Sequence, residues 1–123
     1  MTWLLVAVGG AVGTLLRYGL SLVMKGLPLA FIGTLLVNVL GSFALVMIAE
    51  LHGGRTLGGV ELRLILGTGM MGGFTTYSTF NFETYRLLQQ GHGMRAFTYV
   101  ALTLLGCLVA AVLAMQVVRS IRA

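Results

Sequence analysis

Four long apolar segments govern what this chain can fold into. They run over about residues 3–24, 29–49, 62–88 and 96–118, and each is long enough to cross a bilayer as a helix. Hydrophobic residues make up 58% of the 123 positions and charged residues only 9%, whereas a soluble domain carries roughly 25% charged residues. The sequence therefore predicts an all-α integral membrane protein, with residues 1–123 forming one domain of four transmembrane helices that face the lipid bilayer.

Other features of the sequence argue against nucleic-acid binding, an intrachain disulfide and a cleaved signal peptide. The net charge of +5 could suggest a nucleic-acid partner, but the basic residues are scattered singly and form no basic stripe, so we expect no nucleic-acid binding. The single cysteine, Cys107, cannot form an intrachain disulfide. The N-terminal segment lacks a basic start and a cleavage site typical of signal peptides, and we interpret it as a retained helix.

Positive charges near the span ends are divided evenly between the two sides of the membrane. With four spans, one side holds Arg55, Arg63, Arg119 and Arg122, and the other holds Arg17, Lys25, Arg86 and Arg95. Because Lys and Arg near span ends normally set the cytoplasmic side, this balance predicts insertion in both orientations and antiparallel pairing. The alternative is that another bias, such as the uncharged N-terminal segment, fixes a single orientation.

Polar residues in or near the spans predict an oligomer. A four-helix monomer has little interior in which to hide polar groups, and such groups usually face a cavity or a partner. They are Arg17, Asn38, Thr75, Thr76, Ser78, Thr79, Asn81 and Glu83. Glycines spaced four apart, Gly9 with Gly13 and Gly69 with Gly73, let helix backbones approach closely, which adds to the case for an oligomer.

The stretch GGFTTYSTFNFET, residues 72–84, interrupts the third apolar segment. Paired glycines followed by paired threonines make a poor helix interior, which favours two half-helices joined by an unwound segment near the membrane midplane. Unwound backbone there must find partners, such as a cation for carbonyls or an anion for amides. The alternative is a glycine kink with hydroxyls bonded to the preceding turn. The glycine-rich connection over residues 50–61 is expected to be a flexible loop without function.

This stretch resembles the signature of the Fluc (CrcB) family of small fluoride channels, which is close to GG, a hydrophobic residue, TTFSTF and a following glutamate. GGAVGTLLRY, residues 9–18, and GTLLVNVLGSF, residues 33–43, are similar to the family's other motifs. The resemblance covers essentially the whole chain. It implies a fluoride-selective passive channel, not an enzyme, that exports cytoplasmic fluoride and so relieves its toxicity. It also implies a multi-pass protein of a prokaryotic plasma (inner) membrane.

The resemblance further implies an antiparallel dual-topology homodimer with two pores and a central structural sodium ion (Na+). The backbone carbonyls of Gly72 and Thr75 would bind the sodium ion. The family's paired phenylalanines fall on Tyr77 and Phe80, and its second-span asparagine falls on Asn38. Ring edges and amide or hydroxyl hydrogens suit a small anion, and several weak sites suit conduction.

Further hydroxyls are assigned to the pore. They belong to Ser78, Thr79, Tyr99 and Thr103. Two positions depart from the family's usual pattern, because Tyr77 stands where phenylalanine is commoner and Cys107 stands where a serine would be a better donor. Arg17 is expected either to attract anions or to tie helix ends together, and Glu83 is assigned to a vestibule or to a structural role.

Three other functions stay open. A small proton-coupled drug exporter needs a titratable carboxylate in its first span, and residues 3–24 contain neither Asp nor Glu. A fluoride/proton antiporter would use Glu83 as its proton carrier. A non-catalytic assembly subunit would use the polar residues only for packing.

Overall fold

The computed structural model describes residues 1–27 and 31–123, and nearly all of its regular structure is helical. In chain order the elements are α1 (Thr2–Val23), a 3-10 turn (Met24–Gly26), α2 (Ile32–Leu51), β1 (Thr56–Leu57), β2 (Val60–Glu61), a π-helix (Arg63–Met71), α3 (Gly72–Phe74), α4 (Tyr77–Gln89) and α5 (Gly93–Arg122). The predicted start of the second span at residue 29 lies outside the described residues.

Three helices in the described part of the chain are long and apolar enough to cross a membrane. They are Thr2–Gly26, Ile32–Leu51 and Gly93–Arg122. The predicted span 62–88 is instead divided among the π-helix, α3 and α4. Large apolar side chains cover the outside of the molecule, with Trp3 on α1 89% exposed, which suits a surface in contact with lipid. The prediction of a helical membrane protein is confirmed.

The connection after α2 is a β-hairpin, so the prediction of an unstructured flexible loop is wrong. Strands β1 and β2 pair antiparallel, with Leu57 opposite Val60. Gly58 and Gly59 between them have φ angles of +57° and +79°, a conformation that residues with a Cβ rarely adopt. Two such residues in succession form the tight turn whose twist matches a hairpin. The Gly-Gly pair was therefore a turn signal.

Glycines let the backbone of α1 contact the backbone of the π-helix and α3, which form the first half of the predicted third span (residues 62–88). A Cβ atom on Gly9, Gly13, Gly69 or Gly73 would come within 2.7 Å of a carbonyl oxygen on the facing helix. This is the close approach that the four-residue spacing predicts. Because both helices belong to the same chain, however, these glycines do not support the oligomer that we inferred from them.

The helices pair out of chain order. α1 contacts mainly the π-helix and α3, whereas α2 contacts mainly α5. At one end of the latter pair, Arg122 Nη1 donates to Glu50 Oε2 at 3.2 Å, and Arg122 Nη2 donates to the carbonyl of Glu50. The last turn of α5 therefore lies beside the last turn of α2.

The third span is interrupted at two residues. Thr75 (φ −83°, ψ 157°) and Thr76 (φ −152°, ψ 112°) have extended backbones, while Gly72 and Gly73 are still helical. The chain resumes as α4 because Thr76 acts as its N-cap, with Oγ1 accepting from the amide of Thr79 at 3.2 Å. The residues beside this break form the candidate site.

Candidate functional site

Asn38, near the middle of α2, holds the peptide groups on both sides of Thr76. Its Oδ1 accepts from the Thr76 amide at 2.8 Å, and its Nδ2 donates to the Thr76 carbonyl at 3.1 Å. The side chain is only 9% exposed. A buried backbone donor without a partner is costly, so Asn38 satisfies the amide that the break releases and also donates to the carbonyl of the N-cap residue. The second hydrogen on Nδ2 is left for another acceptor.

Arg17 connects α1 to the end of α3. Its Nε donates to the carbonyl of Gly73 at 3.0 Å. In a continuous helix that carbonyl would accept from the amide of Tyr77. The C-terminal end of a helix also carries partial negative charge, which a guanidinium offsets. Of the two roles predicted for Arg17, this contact supports the one in which it ties helix ends together.

Asn38 and the hydroxyl of Thr76 release the carbonyls of Gly72 and Thr75 from helical hydrogen bonds. The amide of Thr76, which would bond Gly72 in a continuous helix, bonds Asn38 Oδ1 instead. The amide of Thr79, which would bond Thr75, bonds Thr76 Oγ1 instead. Both carbonyls are therefore available as oxygen ligands.

A hard cation such as sodium suits these two carbonyls. Neutral oxygens are typical ligands for hard cations, and carbonyls near an unwound helix bind sodium in membrane proteins. Within residues 1–27 and 31–123, no three His, Cys, Asp or Glu side chains come together in a way that could hold a metal. A cation at the break would therefore depend on neutral oxygens, and the carbonyls of Gly72 and Thr75 are candidates.

A cavity of about 360 Å³ lies against the break. Residues singled out from the sequence that line it are Asn38, Gly72, Thr75, Tyr77, Phe80, Thr103 and Cys107. Thr103 is 6% exposed, and its buried Oγ1 has no hydrogen-bond partner among the described residues. The fold thus brings Gly72 and Thr75, whose carbonyls are predicted to bind sodium, to the same cavity as most of the predicted pore residues.

Three aromatic rings meet beside this cavity. The edge-to-face pair of Phe80 and Tyr99 has ring centroids 5.2 Å apart at 65°, and the ring of Tyr77 lies 5.7 Å from that of Phe80. Phe80 is 5% exposed and Tyr77 is 71% exposed. The two rings assigned to the pore are therefore neighbours, but only Phe80 is packed within this chain.

Glu83 accepts hydrogen bonds from two other helices. Thr34 Oγ1 on α2 donates to Glu83 Oε1 at 2.9 Å, and the hydroxyl of Tyr99 on α5 donates to Oε2 at 2.6 Å. A phenol has one hydrogen to donate, so in this arrangement Tyr99 has none for an anion. Thr34 was missed by sequence reasoning, although it lies in the second-span motif, four residues before Asn38.

A second cavity, of about 350 Å³, also borders the break. Its polar lining includes Arg17, Lys25, Thr34, Thr76, Thr79 and Glu83. Thr76 lines both cavities, so the two adjoin at the break. Ser78 is exposed on α4, with its Oγ 3.3 Å from Thr76 Oγ1.

Comparison with known proteins gives a consistent result. Residues 4–115 match the family model described as CrcB-like protein, Camphor Resistance (CrcB). A Sorangium cellulosum protein named "Fluoride-specific ion channel FluC" is 48% identical over 120 residues, which cover 95% of this chain and 94% of that protein. A protein of the same name from Shewanella loihica is 42% identical over 118 residues, which cover 94% of this chain and 94% of that protein. Another, from Thermus thermophilus, is 48% identical over 99 residues, which cover 79% of this chain and 78% of that protein.

These matches extend over nearly all of the chain, including the break and its neighbours on α1, α2 and α5. The relatives are named as ion channels, which confirms the expectation of a non-enzymatic family. The resemblance seen in the motifs is also confirmed, and the chain belongs to the CrcB family.

Proposed function

We propose that this protein is a fluoride-selective passive channel that exports cytoplasmic fluoride across the inner membrane of a prokaryote and so relieves fluoride toxicity. The name of its relatives, which match at 42–48% identity, supports this function. The observation that carries it within this chain is the cavity at the break, which is lined by hydrogen-bond donors and by the buried ring of Phe80. The cavity lining contains neither Asp nor Glu, so no fixed negative charge opposes an anion there.

The pore would replace the water around fluoride with several weak partners. Removing an ion from water costs tens of kcal/mol without substitute interactions. The free hydrogen of Asn38, the unpartnered hydroxyl of Thr103 and the edge of Phe80 are suitable partners. We assign to the same path Tyr77, Ser78 and Thr79. Tyr99, whose hydroxyl donates to Glu83, would support the path through its ring, which packs against Phe80. Multiple weak contacts allow an ion to leave as readily as it enters.

We propose that two copies assemble as an antiparallel dual-topology homodimer with a structural sodium ion between them. The third span would then cross the bilayer as two half-helices, with its break near the midplane. One chain offers the carbonyls of Gly72 and Thr75, and a two-fold axis in the membrane plane would bring the same pair from a second copy. Sodium, when bound, supplies positive charge to these carbonyls without being transported. The exposed position of Gly72 is compatible with such a partner.

A fluoride/proton antiporter is the second candidate, because Glu83 lines the cavity that also contains Arg17 and Lys25. An antiporter would need Glu83 to exchange a proton in each cycle. In the described structure both of its oxygens accept hydrogen bonds from fixed hydroxyls, which supports a structural role. Glu83→Gln would abolish proton-coupled transport but would leave a passive pore partly active.

Fluoride efflux from liposomes tests the proposal. Purified protein is reconstituted in potassium fluoride, and efflux into fluoride-free solution is followed with a fluoride electrode. We expect efflux only after a potassium ionophore dissipates the voltage, with no need for a proton gradient, and protein-free liposomes are the control. Efflux driven by a pH gradient and insensitive to voltage would favour the antiporter. Chloride efflux of similar size would contradict fluoride selectivity.

A further inference from the structure

We propose that Arg17 and Asn38 are positioning residues that hold the third span open and thereby keep the carbonyls of Gly72 and Thr75 available to a cation. This inference rests on the sodium site of the proposed function. It assigns to Asn38 a task distinct from contact with fluoride, and to Arg17 a task distinct from attraction of anions.

The break competes with a continuous helix. If the third span closed, the amide of Thr76 would bond the carbonyl of Gly72, and the amide of Tyr77 would bond the carbonyl of Gly73. In the structure the amide of Thr76 donates to Asn38 instead. The carbonyl of Gly73 accepts from Arg17 instead. Each side chain thus replaces one helical hydrogen bond that closure would restore.

The two side chains come from different helices. Arg17 belongs to α1, and Asn38 belongs to α2. Gly41, one turn after Asn38, lies so close to Thr75 that a Cβ atom there would overlap the threonine Cγ2. The packing of α1 and α2 therefore fixes where the third span opens, rather than the glycine and threonine propensities alone.

The two parts of Asn38 act on different backbone groups. Oδ1 draws the amide of Thr76 away from Gly72 and so frees a cation ligand. Nδ2 donates to the carbonyl of Thr76 and keeps a hydrogen for the pore cavity. A carboxylate at this position would retain the first function and lose the second, so the two functions can be separated by substitution.

Arg17 and the proposed cation ligands line different cavities. Arg17 lines the cavity that contains Glu83, whereas Gly72 and Thr75 line the cavity that contains Asn38. Its Nε donates to a neutral carbonyl at the negative end of α3. Arg17 can therefore stabilise the open backbone without occupying the cavity where a cation would bind.

The test measures the thermal unfolding of purified full-length protein at increasing sodium, with potassium holding the ionic strength constant. Wild type is compared with Arg17→Met, Arg17→Lys, Asn38→Leu and Asn38→Asp. Ser21→Ala and Ser120→Ala are matched controls, because each serine donates only to a carbonyl of its own helix and neither lines the cavity that contains Asn38. Fluoride efflux is measured on the same preparations.

We expect Arg17→Met and Asn38→Leu to raise the sodium concentration at half-maximal stabilisation by about tenfold, the factor that follows from losing one charge-assisted or buried hydrogen bond. Arg17→Lys and Asn38→Asp should keep the dependence close to that of wild type. Asn38→Asp should nevertheless lose fluoride efflux. Both serine variants should match wild type in both measurements.

Wild-type sodium dependence in Arg17→Met and Asn38→Leu would overturn the positioning role. Should these two fail to fold, loss of sodium dependence in both Arg17→Lys and Asn38→Asp would also overturn it, and its retention in both would support it. A wild type that responds equally to sodium and potassium would overturn the sodium site and this inference together. Wild-type efflux decides the channel function separately.

Discussion

The hydroxyl of Tyr99 donates to Oε2 of Glu83 at 2.6 Å, and this bond joins α5 to α4. Tyr99 is 1% exposed and also packs against Phe31, with ring centroids 4.7 Å apart. The bond thus fixes the position of a ring that packs edge to face with Phe80. A residue that the sequence assigned to the pore therefore has a structural role as well.

Removing this hydroxyl should destabilise the fold. Tyr99→Phe leaves a carboxylate oxygen of Glu83 without its donor, so we expect the free energy of unfolding to fall by about 1–3 kcal/mol. Unfolding in detergent, followed by circular dichroism, measures the change. Tyr85→Phe is the control, because Tyr85 is 57% exposed on the neighbouring helix. Equal stability of both variants would show that the Tyr99 bond contributes nothing.

Conversion of Phe80 to leucine separates conduction from packing. Phe80→Leu keeps apolar volume but loses the positive ring edge, so fluoride efflux should fall by at least about tenfold. The variant should still elute from a size-exclusion column at the position of wild type. Tyr77→Phe keeps a ring at an exposed position and should be tolerated. If Phe80→Leu conducts like wild type, the ring edge has no part in conduction and only the amide and hydroxyl groups remain.

The glycine contact between α1 and the π-helix should tolerate no added methyl group. In Gly13→Ala the new Cβ would overlap the carbonyl oxygen of Met70, and forced separation of the helices should cost about 1–3 kcal/mol or more. Gly19→Ala is the control on the same helix, because a Cβ there meets no described atom within 4 Å. Thermal unfolding of both variants measures the effect, and a harmless Gly13→Ala would contradict the close contact.

Charge added to one end of the molecule should separate dual from single topology. Gln90→Lys with His92→Lys adds two positive charges between α4 and α5, which should fix one orientation and abolish efflux. Thr56→Lys with Leu57→Lys, in the exposed hairpin strand β1, should fix the other. Co-expression of the two double variants should restore efflux. Normal efflux from either one alone would exclude an obligatory antiparallel dimer.

Gly72 offers a test of a partner subunit, because a Cβ there meets no atom within 4 Å in the described chain. Its φ of −61° and ψ of −38° suit any residue. Gly72→Val should therefore spare the fold of one chain but weaken the dimer and its stabilisation by sodium, a ligand of the folded state. Light scattering gives the mass of the species in detergent.

Thr75→Ala is the counterpart of that variant. The hydroxyl of Thr75 donates to the carbonyl of Met71 at 2.9 Å, so its removal leaves the Thr75 carbonyl in place and should preserve the sodium response. A Gly72→Val protein that remains dimeric and responds to sodium like wild type would argue against the site.

Local sequence signals located the apolar helices and the interruption at residues 72–84, but they did not show which side chains contact each other. The spacing of Tyr99, Thr103 and Cys107 places them on one helix face, and Tyr99 and Thr103 are indeed buried together on α5. The two bonds of Asn38 to Thr76 join residues 38 apart. Such a pairing depends on how α2 packs against the third span, which hydropathy does not encode.

Two other features lay beyond the sequence pattern. The π-helix over Arg63–Met71 uses residues that an α-helix accepts equally well, so residue type alone does not indicate its wider turns. The bond from Thr34 to Glu83 links positions 49 apart, and neither residue alone indicates the other. The glycine pairs correctly predicted close contact between helix backbones, but the contact lies within one chain and not between two chains. Four-residue glycine spacing is the same in both cases, so it cannot distinguish them.

The out-of-order pairing of the helices has a consequence for synthesis. α1 finds its main partner only when the π-helix has been made, roughly 40 residues after α1 ends, which at about 5–20 residues per second takes several seconds. Until then α1 and α2 share few contacts and must stay in the lipid as separate helices. Insertion and packing are thus two stages in time, and a nascent chain stalled before residue 63 would present α1 to any membrane helix with a complementary glycine face.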